Sequence, residues 1–551
     1  MKIDARPHPI FTAILLMAIC LLPVMALKDI SPSNELRYLS IADEALENGN
    51  VFTFSNQGEP YADKPPLYLW LLMLSRLVFG GHSTFVLSLF SFIPAMVTIA
   101  VMDRWLMLVS RQTSLKFSWN CRFSAALMLG TSMMFLGTSL ILRMDMLMTM
   151  FIVLSLFTFY KMYREIGRPG AEGIMLPVYI FLALFTKGPV GILMPVLSIF
   201  FFLLFSGKIR SAGRYLGLRT WLILAFLCSL WFLAVWLEGG KEYLDNLLFH
   251  QTVDRAIDAF HHKKPVWYYF TAIWYVAAPY SLGLVYAMFS RAGRQGYVTD
   301  AGRLFFTAAT VTFIMLSLFS SKLSVYLLPI VPFMVYHAVL AGKNTGCNGW
   351  MKFSFTVPSL IFILAALAVF AFPLYGDRLP MVSLPEDVVS AVRSPYAYAA
   401  ASILLIGSVL SVRALFSLKS WTRSASCLAL SMLAAVLVLT PLVPDLNNRL
   451  GYRNLAAVAR ELKEISHVSG YASVGVSRAE NMDVYLGEDV AVLDVDTLDE
   501  DITEIQDAVL MVRTSFLDKE PLLGKRLSGL HGVVVGDYTV FIVPGPGGLA
   551  D

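Results

Sequence analysis

Long apolar runs alternate with short polar stretches along most of this 551-residue chain. A run near 20 apolar residues is long enough to cross a bilayer as a helix. About thirteen such runs stand out: 10–27, 84–101, 122–142, 146–160, 174–187, 189–206, 219–237, 267–290, 303–320, 323–341, 354–375, 397–416 and 424–443. Very short turns at 143–145 and 187–188 join two pairs of runs. The apolar stretch Pro65–Gly80 is shorter and contains Arg76, which suits a helix lying in the membrane interface. The first run follows Lys2 and Arg6 as a signal peptide's would. Ala26-Leu27-Lys28-Asp29 makes no convincing cleavage site, so the run reads as a retained helix.

After Pro444 the pattern changes to that of a soluble domain of roughly 100 residues. Tyr452–Ile465 has helical periodicity, and Ala472–Val476, Val490–Val495, Ala508–Val512 and Gly532–Val543 read as strands. The expected architecture is an α-helical polytopic membrane protein with a small C-terminal α/β domain. Residues 1–443 form the transmembrane domain, with an outer loop at 28–84. Residues 444–551 form the soluble domain on the outer, periplasmic side. No internal repeat is evident.

Composition agrees. Hydrophobic residues make up 57% of the chain, charged residues 15%, and mean hydropathy is +0.65. A soluble enzyme, a disordered chain, a coiled coil and a disulfide-stapled secreted domain are excluded, since soluble domains run near 25% charged. A net charge of +4 gives no footprint for nucleic acid. Cys20, Cys121, Cys228, Cys347 and Cys427 have no CxxC spacing and read as inert thiols.

Basic residues set the orientation. With a cytoplasmic N-terminus, the cytoplasmic loops collect Arg104, Arg111 and Lys116, then Lys161, Arg164 and Arg168, then Lys208, Arg210 and Arg214, and later Arg291, Lys343 and Lys419. The outer loops are mixed or acidic, and the acidic run Asp499–Glu504 suits an outer domain. An odd span count places the C-terminus outside.

The unusual polar residues gather on that outer side, where ionisable groups near apolar depth mark function. They are Asn34-Glu35-Leu36-Arg37-Tyr38, Tyr61-Ala62-Asp63-Lys64-Pro65, Arg143-Met144-Asp145, Thr186-Lys187-Gly188, the segment with His250, Asp254, Arg255, His261 and His262, and Ser321-Lys322 with Tyr326. Each has a plainer reading. Glu35 and Arg37 can simply open an amphipathic helix Glu35–Asn48 closed by Gly49, Arg143 and Asp145 can be a local ion pair, and Lys187 and Lys322 can snorkel to the interface.

Together these motifs resemble the polyprenyl-phosphate-dependent glycosyltransferases of the GT-C fold. They resemble above all the bacterial aminoarabinose transferases that modify lipid A, relatives of protein O-mannosyltransferases. Asn34-Glu35-Leu36-Arg37-Tyr38 matches that family's Asp-Glu-x-Arg-Tyr, and Tyr61-Ala62-Asp63-Lys64-Pro65 its Tyr-Phe-Glu-Lys-Pro. His250…Arg255 with Pro265-Val266-Trp267-Tyr268-Tyr269 matches a His…Arg…Pro-Phe-Trp-Tyr-Tyr stretch. The resemblance is strongest from Ser31 to Tyr336. It implies an inverting transferase at the outer face of the inner membrane, with a polyprenyl-phosphate sugar as donor and lipid A, another glycolipid or a protein as acceptor.

Negative charge then develops on the leaving lipid phosphate, where fixed cations stabilise it. Lys64, Arg255 and Arg37 suit that role, with Lys322 beside them, and Tyr38, Tyr61 and Tyr326 can donate hydrogen bonds. The resemblance also implies one divalent metal ion on Asp63 and His250, and no organic cofactor. Glu35 and Asp145, with Asn34 at the family's acidic position, are the catalytic candidates. Two departures stand out. Asn34 replaces an Asp and cannot act as a base, and Asp63 replaces a Glu. Asp145 is the favoured substitute base. An anionic acceptor would need none. Two other readings stay open: a transporter or flippase of lipid-linked sugars, and a catalytically inactive relative.

Overall fold

The computed structural model describes residues 7–32, 34–248, 264–290, 298–345, 347–375, 385–493 and 507–544. Among them, ten helices are long and apolar enough to cross a membrane, or eleven if the bent pair Trp119–Thr131 and Met133–Leu140 makes one span. The chain is an integral membrane protein.

The expected thirteen runs reduce to this number for local reasons. Run 189–206 is the helix Val190–Phe205 of 16 residues. At about 1.5 Å per residue it falls short of a hydrocarbon core of about 30 Å. Run 267–290 is two helices of nine residues, Tyr268–Val276 and Ser281–Phe289, interrupted around Pro279, which has no N–H for a helical bond. Run 122–142 bends by 66°. Ser132 takes an extended conformation there (φ −62°, ψ 130°). Pro66–Phe79 is a 14-residue helix with Leu74, Leu77, Val78 and Phe79 exposed, the pattern of an interfacial helix.

The chain divides into two compact units, and the division differs from the single boundary expected at residue 443. The first is Met1–Met25, Ala62–Tyr68 and Leu87–Thr440. The second is Ala26–Tyr61, Leu69–Val86 and Pro441–Asp551. Most of the outer loop therefore groups with the C-terminal residues.

In the first unit the spans pack through aromatic and small side chains. Trp105 is fully buried, with ring centroids 5.3 Å from Phe157 and from Tyr160 and 4.7 Å from Phe305. The helices Pro395–Phe416 and Trp421–Leu439 approach so closely that a Cβ on Gly407 would meet Ser431, the close contact that small residues permit between spans. Asp103 accepts two hydrogen bonds from Arg122, at 2.8 and 2.6 Å, so this buried pair is satisfied within the apolar interior.

The second unit contains the helix Glu35–Asn48, ended as expected by Gly49 in the left-handed region (φ 71°). A two-stranded hairpin follows, β1 (Ser55–Asn56) and β2 (Glu59–Pro60). The C-terminal residues build a five-stranded sheet from β3 (Gly470–Val474), β4 (Val490–Leu493), β5 (Ala508–Arg513), β6 (Gly532–Val535) and β7 (Tyr538–Val543), in the order β4-β3-β5-β7-β6. β3 runs parallel to β4 and β5, and β7 antiparallel to β5 and β6. The single strand expected over Gly532–Val543 is thus a hairpin, turned at Gly536 with φ 59°. Alternation in β5 puts Ala508, Leu510 and Val512 into one core with Val474, Leu523, Leu527 and Phe541. The helix Arg453–Ser466 buries Leu455, Ala456 and Ala459, matching the expected Tyr452–Ile465. The last residues of the expected strand Val490–Val495 and the acidic run Asp499–Glu504 lie outside the described residues.

Candidate active site

Two short turns build the charged cluster of the first unit. Arg143 is extended (φ −142°, ψ 135°) and caps the span Met144–Tyr163, so Asp145 falls in the first helical turn. A carboxylate there meets the positive end of the helix dipole. The neighbouring span Pro169–Lys187 runs back and ends at Lys187, where a cation meets the negative end. Gly188 follows with φ 105°, a conformation open to glycine, and turns the chain into Pro189. The ends of the two spans meet as an ion pair between Lys187 Nζ and Asp145 Oδ1. Arg143 Nε donates to the other oxygen, Oδ2, at 3.1 Å. Ser91 holds the Arg143 backbone through hydrogen bonds of 3.2 and 3.3 Å. Lys187 Nζ also lies 4.4 Å from the ring centroid of Tyr326, in the 3-10 helix Ser324–Ile330.

Asp145 is only 1% exposed. A charge so deep is tolerated because both of its oxygens have a cationic partner. The arrangement fixes two cations beside an aromatic ring at one end of the bundle. It can hold a phosphate-sized anion more readily than it can take a proton from an acceptor, since both carboxylate oxygens are already engaged.

The other expected residues of this unit are placed as follows. Asp63 and Lys64 form an ion pair at 3.8 Å, largely buried. Lys322 is 2% exposed and donates to the carbonyl of Lys264 at 3.1 Å and to that of Phe319. Burial lowers the affinity of its amine for a proton. Its described contacts tie two backbone segments together.

Asn34, Glu35, Arg37, Tyr38 and Tyr61 belong to the second unit. Asn34 caps the helix Glu35–Asn48 without a side-chain hydrogen bond to the helix backbone. Glu35 is buried. It accepts from Lys28 Nζ at 3.3 Å and from the Ser31 N–H at 2.6 Å. The plainer reading of Glu35, as the opening of a helix, accounts for both contacts. The Arg37 guanidinium reaches Asn34 Oδ1 at 3.4 Å and lies over the rings of Tyr38, at 5.9 Å, and Tyr61, at 5.4 Å. His250, Asp254, Arg255, His261 and His262 lie outside the described residues.

The metal expected on Asp63 and His250 would need His250, which lies outside the described residues. No three His, Cys, Asp or Glu side chains among them stand close enough to hold an ion. The Asp63 carboxylate faces the Lys64 ammonium, which disfavours a second cation there.

Sequence reasoning placed Arg143 and Lys187 in the polar clusters but gave neither a role. The signal was present in a carboxylate two residues after Arg143 and in a Lys-Gly turn. What the chain order could not give was their meeting across 42 residues.

Comparisons with known proteins show what the chain is similar to. Residues 63–232 match the family described as dolichyl-phosphate-mannose-protein mannosyltransferase. The structure superposes on that of ArnT from Cupriavidus metallidurans, solved bound to undecaprenyl phosphate, with a TM-score of 0.72 and 16% identity over 98% of both chains. The chain therefore shares the fold of that structure over nearly its whole length.

In sequence, the chain is 23% identical over 367 residues to undecaprenyl phosphate-alpha-4-amino-4-deoxy-L-arabinose arabinosyl transferase 1 of Proteus mirabilis, which covers 64% of this chain and 63% of that one. It is 24% identical over 345 residues to an uncharacterised protein of Aquifex aeolicus, covering 62% and 65%. The matched region is thus less than two thirds of either relative's length.

Proposed function

We propose that the protein is a membrane glycosyltransferase that moves a sugar from a polyprenyl-phosphate donor to a glycolipid or protein acceptor. The observation that carries this reading is the buried Arg143–Asp145–Lys187 cluster where two spans end. The fold shared with ArnT supports it. Localisation in a bacterial inner membrane, with the N-terminus cytoplasmic and the C-terminal domain outside, rests on an odd number of spans, eleven when Trp119–Thr131 and Met133–Leu140 cross as one, and on the basic residues that follow the spans Thr84–Gln112 and Met144–Tyr163.

In the reaction the bond from the sugar's anomeric carbon to the phosphate oxygen breaks, and its electron pair stays on the polyprenyl phosphate. The acceptor oxygen forms the new bond from the opposite face, which inverts the anomeric centre. Lys187, Arg143 and Lys64 are the cations of the first unit suited to the growing phosphate charge. Asp145 positions Lys187 and Arg143. With Glu35 and Asp145 both committed to donors, and Asn34 neutral, the reading favours an acceptor whose attacking oxygen is already anionic, such as a phosphate monoester. General-base help, typically worth about 10²–10⁴-fold for a neutral hydroxyl, is then not needed.

The test uses the purified full chain in proteoliposomes with a polyprenyl-phosphate sugar. Acceptors are a phosphorylated glycolipid and the same lipid after phosphatase treatment. Transfer to the phosphorylated lipid alone supports the reading. Transfer to both lipids overturns the anionic-acceptor part. Binding of donor with no transfer to any envelope lipid or protein fraction overturns the enzyme.

A further inference from the structure

The second unit contains a cavity of about 440 Å³ that the transferase reading does not use. Its wall includes Ala26, Arg76, His82, Thr84, Arg453 and Tyr485. Two guanidinium groups face it, Arg76 with a side chain 42% exposed and Arg453 with one 49% exposed.

Each has a carboxylate neighbour, but neither is locked in a two-bond fork. Arg76 Nε lies 3.5 Å from Asp43, and its Nη1 donates to the Gly80 carbonyl at 3.1 Å. Arg453 Nε lies 3.6 Å from Asp29, and its Nη2 donates to Thr84 Oγ1 at 2.7 Å. The carboxylates themselves are spent elsewhere. Asp29 is buried and accepts from the N–H groups of Ile30, at 2.7 Å, and Arg453, at 2.8 Å, and from the Tyr485 hydroxyl at 2.9 Å. Asp43 accepts from His82 Nε2 at 2.9 Å. Guanidinium donors therefore remain open to the cavity, where a planar fork can engage two oxygens of a tetrahedral phosphate.

Chain connectivity gives the depth. Ala26 sits at the end of the first span, Pro9–Leu27, and Thr84 opens the span Thr84–Gln112. Arg76 lies on the helix Pro66–Phe79, whose Leu77, Val78 and Phe79 are exposed apolar residues. A cavity walled by the polar ends of two spans and by an interfacial helix lies at headgroup level. The start of the Thr84–Gln112 helix brings Thr84 and Phe85 to the same wall, where the positive end of the helix dipole favours an anion.

We propose that this cavity binds the phosphate of an anionic lipid headgroup, with Arg76 and Arg453 as its ligands and Thr84 as a hydrogen-bonding partner.

The test is binding of short-chain phosphatidylglycerol to the full chain in neutral detergent, followed by native mass spectrometry. Short-chain phosphatidylcholine and inorganic phosphate serve as parallel probes. The expected result is retention of phosphatidylglycerol and not phosphatidylcholine, with at least a tenfold loss of affinity in R453Q and R76Q. Thr84→Val, which removes one neutral partner, should lose only a few-fold, and it keeps the test sound if an Arg variant elutes aggregated. Competition by inorganic phosphate at the same concentration as the lipid also supports the phosphate site, and would make free phosphate the ligand. Equal retention of phosphatidylglycerol by the wild type and all three variants, or equal retention of the two lipids, overturns the proposal.

Discussion

Two groups of charged residues in this protein solve opposite problems. In the membrane unit, Arg143 and Lys187 converge on one carboxylate that is almost fully buried. In the second unit, Arg76 and Arg453 stay half exposed over carboxylates that are mainly occupied by other donors. The contrast follows from dielectric. An unpaired charge inside a bundle costs several kcal/mol, so the deep cations are held on Asp145 and can take a further anion only beside it, whereas charges at the boundary keep water as a partner when no ligand is bound.

The comparison fails most visibly at Asp145. Asp145→Asn leaves two cations without their anion, and breaking such a buried pair costs about 3–5 kcal/mol. A thermal scan of the detergent-solubilised protein should show a marked drop in midpoint, and transfer should be lost. Full turnover and an unchanged midpoint would mean that the cluster is neither deep nor functional.

Lys187→Ala and Lys64→Ala come next. Each removes a charge-assisted contact worth about 1.5–3 kcal/mol, or roughly 10–150-fold in kcat/KM, if it holds donor phosphate. Normal expression with unchanged donor kinetics in both variants would take the phosphate role away from this unit.

Arg37→Ala should do less. Its described contacts are the Asn34 oxygen and two tyrosine faces, which makes it a platform worth about 0.5–1 kcal/mol per ring. Transfer kinetics with the purified variant would show a change of no more than about thirtyfold; a larger loss would mark Arg37 as a direct donor ligand.

The smallest effect on transfer is expected at Asp483, which shows itself instead as a pH dependence of stability in the second unit. Burial holds the Asp483 carboxyl up at about 6, while hydrogen bonds from Ser40, Gln57 and the Val484 N–H pull it down and Asp43 pushes it up. A carboxyl raised in the folded state favours folding when protonated. Its contribution is fully present below the ordinary value near 4 and is lost as pH rises through 6. Asp483→Asn should flatten the thermal midpoint of this unit between pH 4 and pH 7, where the wild type declines with rising pH. An identical slope in both proteins would place the titration elsewhere.

The spans were legible because an apolar run of membrane length has few other stable fates. The helices Glu35–Asn48 and Arg453–Ser466 were legible because capping glycine and amphipathic spacing are local. The breaks were less so. Ser132 looks like any residue of an apolar run, and its extended conformation appears only in the folded bundle. Pro279 was visible, yet proline is tolerated inside many spans, so its effect on 267–290 could not be read ahead. The site was legible as a list of polar turns. Its wiring was not: that both Asp145 oxygens are engaged, and that Lys322 ties backbone carbonyls, depends on residues distant in the chain.

The sequence by itself determined that this chain lives in a membrane, which side its basic loops favour, and which transferase class its motifs resemble, because hydropathy, charge bias and short motifs are local properties. Only the tertiary structure decided which charges neutralise one another. Coulomb energy depends on distance and burial, and the 42 residues between Asp145 and Lys187 carry no information about either until two spans fold back and their ends meet.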